Sequence, residues 1–197
     1  MTLKLNGSSS GYTAIDAPAA AGSNTLVLPT TNGSAGQVLQ TDGSGNLSWA
    51  SMAGRILQVV TATTSTEASS TGAYTDSGLT KAITLASTSS KVLVLVNQAV
   101  GFAISANTVT GLGLKLLRDS TTLRVDPVNP SMWKAKVGTG DGGEVSMGFH
   151  HTFVEIDSPS TAGSVTYKTQ IGQEASGTAY AQNDNRQSWI VLAEIGG

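Results

Sequence analysis

The chain contains no cysteine, which excludes disulfides and thiolate metal sites and leaves packing and assembly as its sources of stability. Charge is scarce as well: Asp, Glu, Lys and Arg make up 12% of the residues, about half the usual share. The net charge is −2 and no basic block occurs, so the electrostatic footprint of a nucleic-acid binder is missing. The longest apolar run, Val92–Val96, stops at Asn97 and Gln98, far short of the roughly 20 residues that a membrane helix needs. The first residues, MTLKLNGSSSGY, lack the apolar centre of a signal peptide. No window carries sustained i, i+3, i+4 apolar spacing, which excludes a helical bundle. These absences predict a soluble chain folded in a cytoplasm, with no nucleic-acid partner, no membrane insertion and no cofactor.

What fills the chain is small residues, 23 Gly among them, and short β-branched or aliphatic runs. Residues 7–50 hold four such runs, Tyr12–Ala17, Thr25–Leu28, Gln37–Gln40 and Leu47–Ala50, separated by Gly, Ser, Asn, Asp and Pro. That is turn–strand–turn punctuation with strands too short to close a core within one chain. Before Arg55 the charged side chains are Lys4, Asp16 and Asp42, less charge than a disordered linker carries. A β-rich chain with so little charge aggregates unless its edges and apolar faces are covered. Burial in an oligomer supplies that cover.

The composition changes at about residues 50–55. We therefore expect a stalk or docking segment over residues 1–54 and a globular head over residues 55–197. The head reads as β throughout: Arg55–Thr61, Leu79–Leu85, Lys91–Phe102, Leu112–Leu117, Leu123–Asp126, Glu144–Asp157, Ser164–Gly172 and Ser188–Ile195. Lys91–Phe102 begins as a continuous aliphatic run, the mark of a strand buried on both faces. Asp119-Ser120-Thr121-Thr122 is a turn cluster that predicts a hairpin. Lys81 interrupts an alternating apolar set and is expected at an edge. The closing strand, the richest in large apolar groups, is expected inside its sheet. The fold class is all-β: short N-terminal strands followed by a β-sandwich, jelly-roll-like head.

Residues with chemical potential are few. His150 and His151 are adjacent, so on a strand they point to opposite faces and cannot share one metal within a chain; three copies of one of them meeting on a three-fold axis is the arrangement that would hold an ion. Gly138–Gly143 resembles a phosphate loop superficially, but it lacks the Lys-Ser/Thr ending and precedes a strand rather than a helix. The carboxylates Asp126, Asp141, Glu144, Glu155, Asp157, Glu174 and Asp184 are scattered, where a glycosidase needs a pair at fixed separation. No serine sits in a G-x-S-x-G elbow. Catalytic, cofactor and metal residues are therefore assigned to none. Two long loops, Asp126–Gly143 and Gln173–Gln187, offer recognition instead. Aromatic rings stack on sugars and amides hydrogen-bond to them, which makes Trp133, Lys134, Tyr180, Asn183, Asn185 and Arg186 the candidates. The plain alternative for both is subunit packing or solvated loop.

Gly11–Pro18, Asn24–Pro29 and Gly36–Trp49 resemble, in order, the "GYT-x-L-x-AP", "NT-x-x-LP" and "G-x-x-LQTDGSGNLSW" elements of a module in tail-fibre and appendage proteins of tailed phages, notably marine ones. Tyr74–Leu79, Ser87–Val96, Phe153–Pro159, Ser164–Gln170 and Ile190–Ile195 are similar to the C-terminal domain that often follows it. The resemblance implies a homotrimeric virion fibre with a three-fold stalk and a compact β head, located in the virion and used for attachment to a host surface glycan or protein. The module starts almost at Met1, with nothing before it resembling a tail adaptor, so the N-terminus itself is expected to dock on another virion protein. A capsid head fibre or decoration protein is the alternative placement, and a depolymerase tip the alternative of another class. Three chains around an axis pair the free edges and bury Tyr12, Leu26, Leu28, Val38, Leu39, Leu47 and Trp49, the expected trimer and docking residues. Each buried aliphatic side chain contributes about 1.5–3 kcal/mol, against roughly 1–2 kcal/mol of backbone entropy per ordered residue.

Overall fold

Period-two alternation of apolar and polar residues should give strands, and in the computed structural model it does. The structure describes residues 3–51, 54–104, 109–126, 133–136, 145–175 and 177–197. Among them no α-helix occurs, only strands and a single 3-10 turn at Asn183–Asn185. The chain is all-β. It divides into two compact units, residues 1–52 and 53–197.

The first unit is built from hairpins. Strands β1 (Leu3–Asn6) and β2 (Tyr12–Ile15) pair antiparallel, as do β3 (Gln37–Thr41) and β4 (Leu47–Ser51) with Leu39 opposite Trp49. The turn between β3 and β4 is held by Asp42, whose Oδ1 accepts from the Ser44 and Asn46 amides at 2.8 and 3.2 Å. Its Oδ2 accepts from Asn46 Nδ2 at 2.7 Å. The Asn46 side chain first, then the Ser44 amide, hold the Asp42 carboxyl below its ordinary value. Gly45 has φ +96°, and a Cβ there would collide with the Thr25 carbonyl. Only glycine fits this crossing. The Trp49 indole donates to the Thr31 carbonyl at 2.7 Å, and its ring lies against Gly33. One expected strand is corrected. Thr25–Leu28 forms no strand and makes a single parallel bridge, Val27 to Asn46, because two backbone bonds to that turn fix it there.

The second unit is a sandwich of two antiparallel sheets. Its strands in chain order begin with β5 (Ile56–Thr64), β6 (Ala68–Ser70), β7 (Thr75–Thr84) and β8 (Lys91–Ile104). Then come β9 (Val109–Arg118), β10 (Thr121–Asp126), β11 (Trp133–Lys136) and β12 (Val145–Asp157). Strands β13 (Ser164–Ala175), β14 (Thr178–Ala181) and β15 (Ser188–Ile195) complete it. One sheet has the order β10-β9-β13-β7, with β11 also paired to β9; the other has the order β5-β15-β8-β14-β6, with β12 also paired to β8. Val96 faces Phe153 on one side and Ile190 on the other, so β12 flanks β8 opposite β15 and forms an edge. Its inward carboxylates Glu155 and Asp157 guard that edge against pairing with another strand. The turn Asp119-Ser120 closes the expected hairpin with φ +52° at Asp119. Lys81 lies on the edge strand β7, half-buried.

Between the sheets Val92, Val94, Val96, Ile190 and Leu192 meet Leu79, Ile83, Leu112, Leu114, Leu116, Val165, Tyr167 and Ile171, all buried. The aliphatic run of β8 departs from expectation. Val92, Val94 and Val96 are fully buried, but Leu93 and Leu95 on the other face are only half-covered.

Among the described residues, polar groups cross the sandwich at several places, and three of these are buried. Gln98, Thr169, Ser77, Ser188 and Gln182 are fully buried and bonded to one another. Thr169 Oγ1 donates to Gln98 Oε1 at 2.7 Å and lies 2.5 Å from Ser77 Oγ. Gln98 Nε2 and the Ala99 amide donate to Ser188 Oγ at 3.0 and 2.8 Å. The Gln182 amide accepts from Ser188 Oγ at 2.9 Å and donates to the Ser77 and Thr66 carbonyls at 3.0 and 3.1 Å. At the end of β12, Asp157 takes Arg118 Nη1 on both oxygens at 2.8 and 2.7 Å and the Tyr167 hydroxyl at 2.7 Å. Burial first, then the Asp157 hydrogen bond, push the Tyr167 phenol far above its ordinary value. It stays a donor at any working pH.

The third is Glu194, which is fully buried and accepts from Gln58 Nε2 and the Ala86 amide, both at 2.7 Å. Burial pushes its carboxyl up, but these bonds outweigh it and leave the group below its ordinary value of 4.5. A carboxyl depressed on folding stabilises the protein above its unfolded value and loses that contribution as pH falls through the folded one. Urea melts between pH 6 and 3 should therefore show wild-type stability falling below about pH 4.5. Glu194→Gln should flatten that part of the curve, and parallel curves for the two proteins would contradict it.

Candidate functional site

Within the two segments expected as recognition loops, the described residues include strands. Trp133 and Lys134 stand in β11, opposite Leu112 and Gly111 of β9. The four-residue strand had been hidden by Pro127 and Pro130 before it and by the glycine run after it. Gly138–Gly143 lies outside the described residues. In the other segment β13 runs to Ala175, β14 supplies Tyr180, and the chain then turns through Asn183–Asn185. Tyr180 pairs between Ser69 of β6 and Gly101 of β8, and its side chain is half-buried. This places Trp133 and Lys134 on one sheet and Tyr180, Asn183, Asn185 and Arg186 on or beside the other.

The turn after β14 is built by residues that tolerate left-handed backbone. Gln182, Asp184 and Asn185 have φ of 56, 57 and 57°; Asn and Asp reach this region more readily than most side chains. Asn183 is buried while Asp184 and Asn185 are exposed. The Asn183 carbonyl accepts from Arg186 Nε at 3.2 Å, and its Oδ1 from Arg186 Nη2 at 2.6 Å. The guanidinium can sit against β12 because residue 148 is glycine: a Cβ there would collide with the Arg186 guanidinium nitrogens. Opposite Gly148 stands Gly101, where a Cβ would sit 2.6 Å from the Met147 carbonyl and 3.0 Å from Asn183 Oδ1. This glycine pair is the shelf on which the turn rests. Sequence reasoning missed it, since a glycine inside a strand marks close approach without saying of what.

The histidines part as alternation predicts. His150 is exposed, its Nδ1 2.6 Å from Asn97 Oδ1. His151 is half-buried, its Nε2 3.1 Å from Asp126 Oδ2 and its ring 5.9 Å from that of Phe153. Among the described residues no group of three His, Cys, Asp or Glu is placed to hold a metal ion. No helix among them is long and apolar enough to cross a membrane.

In the first unit Tyr12, Leu26 and Leu28 are 61, 66 and 68% exposed, and Val38 and Leu39 are 41 and 46% exposed. Leu47 and Trp49 are half-buried. Leu3, Leu5, Ile15 and Val27, which the sequence reading had not singled out, are exposed as well.

No family model matches the chain, and no curated protein matches it. Solved structures similar to it include that of the infectious bursal disease virus Gx strain, at TM-score 0.32 and 15% identity over 98% of this chain and 41% of that one. The infectious bursal disease virus VP2 subviral particle follows at TM-score 0.30 and 15% identity, over 77% of this chain and 40% of that one. Dimeric latent PorU from Porphyromonas gingivalis gives TM-score 0.34 and 12% identity over 74% of this chain and 13% of that one. The chain spans less than half the length of each. At TM-scores this low the likeness assigns neither a fold family nor a function.

Proposed function

We propose that this chain is a non-enzymatic virion structural protein, a homotrimeric fibre of a tailed phage that attaches to a host surface. The observation that carries the reading is the exposure of large apolar side chains on a first unit made of two-stranded hairpins. A two-stranded hairpin is marginal by itself, and exposed apolar patches on a low-charge surface mark an interaction site. Leu26, Leu28, Val38 and Leu39 are the residues such an assembly covers. The motifs of Gly11–Pro18, Asn24–Pro29 and Gly36–Trp49 support the virion setting, through their resemblance to phage appendage modules. The sandwich supplies a rigid head, and Tyr180, Asn185 and Arg186 on its surface are the proposed contacts with a host glycan or protein. Weak contacts of this kind gain strength when several copies bind together.

Adsorption of virions carrying Tyr180→Ala or Asn185→Ala is the test. A fall of roughly tenfold or more for either variant, about 1.4 kcal/mol of binding, is expected. Unchanged adsorption by both, in correctly assembled particles, contradicts the attachment role. Electron microscopy of virions labelled against this chain places it: label on the tail fits a tail fibre or distal tip, and label on the shell corrects the reading to a head fibre docked through its N-terminal unit. Release of reducing ends from host polysaccharide contradicts the non-enzymatic assignment.

A further inference from the structure

The outer face of the six-stranded sheet is covered at one end and bare at the other. Over Gly101 and Gly148 the chain lays its own turn, Asn183–Arg186. At the other end Leu93, Leu95, Val191, Val59, Val154 and Ile156 stand side by side on four strands. Leu95 faces Val154 on one side and Val191 on the other, Leu93 faces Ile156 and Ala193, and Ala193 faces Val59. Val59, Val154 and Ile156 are 54, 51 and 60% exposed. Among the described outward positions of these four strands the charged residue is Lys91, at the very end of β8.

The polar groups at the margin of this area are already satisfied. Asn97 donates to Thr152 Oγ1 at 2.7 Å, and its Oδ1 lies 2.6 Å from His150 Nδ1. The face therefore asks its partner for apolar surface and little else. The sequence points the same way. An unbroken run such as Val92–Val96 is the pattern of a strand buried on both faces, yet within one chain only its inward half is buried.

We propose that this face is where the heads of neighbouring copies of this chain pack against one another. The inference rests on the self-assembly described above and names the part of the head that takes part. Area favours a second copy. Four strands about 4.8 Å apart and eight residues at about 3.3 Å give a footprint of about 500 Å² per chain. Three such faces meeting on a three-fold axis total about 1,500 Å², above the roughly 1,000 Å² that a specific protein interface clears. Charge favours it as well, since a polar partner would bury its own charges against aliphatic side chains without compensation, whereas copies of this face meeting around an axis bury apolar surface against apolar surface.

The absence of cysteine permits a clean test on the full-length chain. Val154→Cys and, as a control on an exposed position of the other sheet, Thr80→Cys are each labelled with a maleimide in the native oligomer. Labelling at residue 154 roughly tenfold or more slower than at residue 80 is expected, and equal rates overturn the proposal. In parallel Leu95→Lys places like charges across the interface. It should raise the dissociation constant of the oligomer roughly tenfold or more, with the circular dichroism spectrum retained. A folded Leu95→Lys protein that assembles like wild type overturns the proposal; if that variant fails to fold, the labelling comparison decides. A monomeric wild type overturns both this inference and the trimer, whereas an oligomer with a freely labelled face overturns this inference only. Protection that appears only when another virion protein is added also overturns it, in favour of that protein.

Discussion

Asp157→Ala is expected to cost the second unit about 3–5 kcal/mol of stability, the usual result of removing one partner of a buried ion pair. Asp157 stands at the end of β12 in one sheet and receives Arg118 of β9 and Tyr167 of β13 in the other. The side chains of Arg118 and Asp157 are only 20 and 9% exposed, so alanine leaves a cation with little access to water. The Tyr167 hydroxyl, wholly buried, loses its acceptor as well. Tyr167→Phe removes one hydrogen bond and keeps the ion pair, so its loss should be smaller, about 1.5–3 kcal/mol. Urea denaturation followed by tryptophan fluorescence measures both. A change under about 0.5 kcal/mol for Asp157→Ala, the size of a surface substitution, would show that the clasp holds nothing.

Gln98→Leu is the second large effect, at about 2–3 kcal/mol, because it keeps volume and deletes the centre of the polar network between the sheets. Thr169 Oγ1 loses its acceptor, and Ser188 Oγ and the Gln182 carbonyl oxygen each lose a donor, in a place that water does not reach. Apolar substitution raises local hydrophobicity, so a simple burial argument predicts the opposite sign. A melt of Gln98→Leu against wild type decides between them: a more stable variant would mean that the network is replaceable by packing.

Local alternation was enough to find most of the second unit. Ser188–Ile195 is a strand over the span that its apolar run suggests, the Asp119-Ser120 turn lies where its residues favour one, and His150 and His151 separate by parity alone. In the second unit the strands that escaped notice are Ala68–Ser70, Trp133–Lys136 and Thr178–Ala181. Each has three or four residues, and two of them consist mainly of small side chains with little β preference; pairing with long neighbours fixes them, which is a tertiary effect. Thr25–Leu28 failed in the other direction, since an apolar run alone does not make a strand when its backbone is claimed by an adjacent turn. The polar network and the Gly101–Gly148 shelf join residues far apart in sequence, so nothing local announces them. The candidate site was legible in outline only. Tyr180, Asn183, Asn185 and Arg186 do gather at one turn, but that turn is a tight cap on a sheet rather than a long loop. The half-covered face of Leu93 and Leu95 was legible only as a misfit: the sequence asks for burial on both faces, and one chain supplies it on one.

That misfit and the exposed leucines of the first unit make self-assembly the central claim. The mass of the full-length protein at micromolar concentration, by light scattering in line with size exclusion, tests it most directly. The account predicts a particle of three times the 20.0 kDa chain mass that persists on dilution. A single species at the mass of one chain would contradict it.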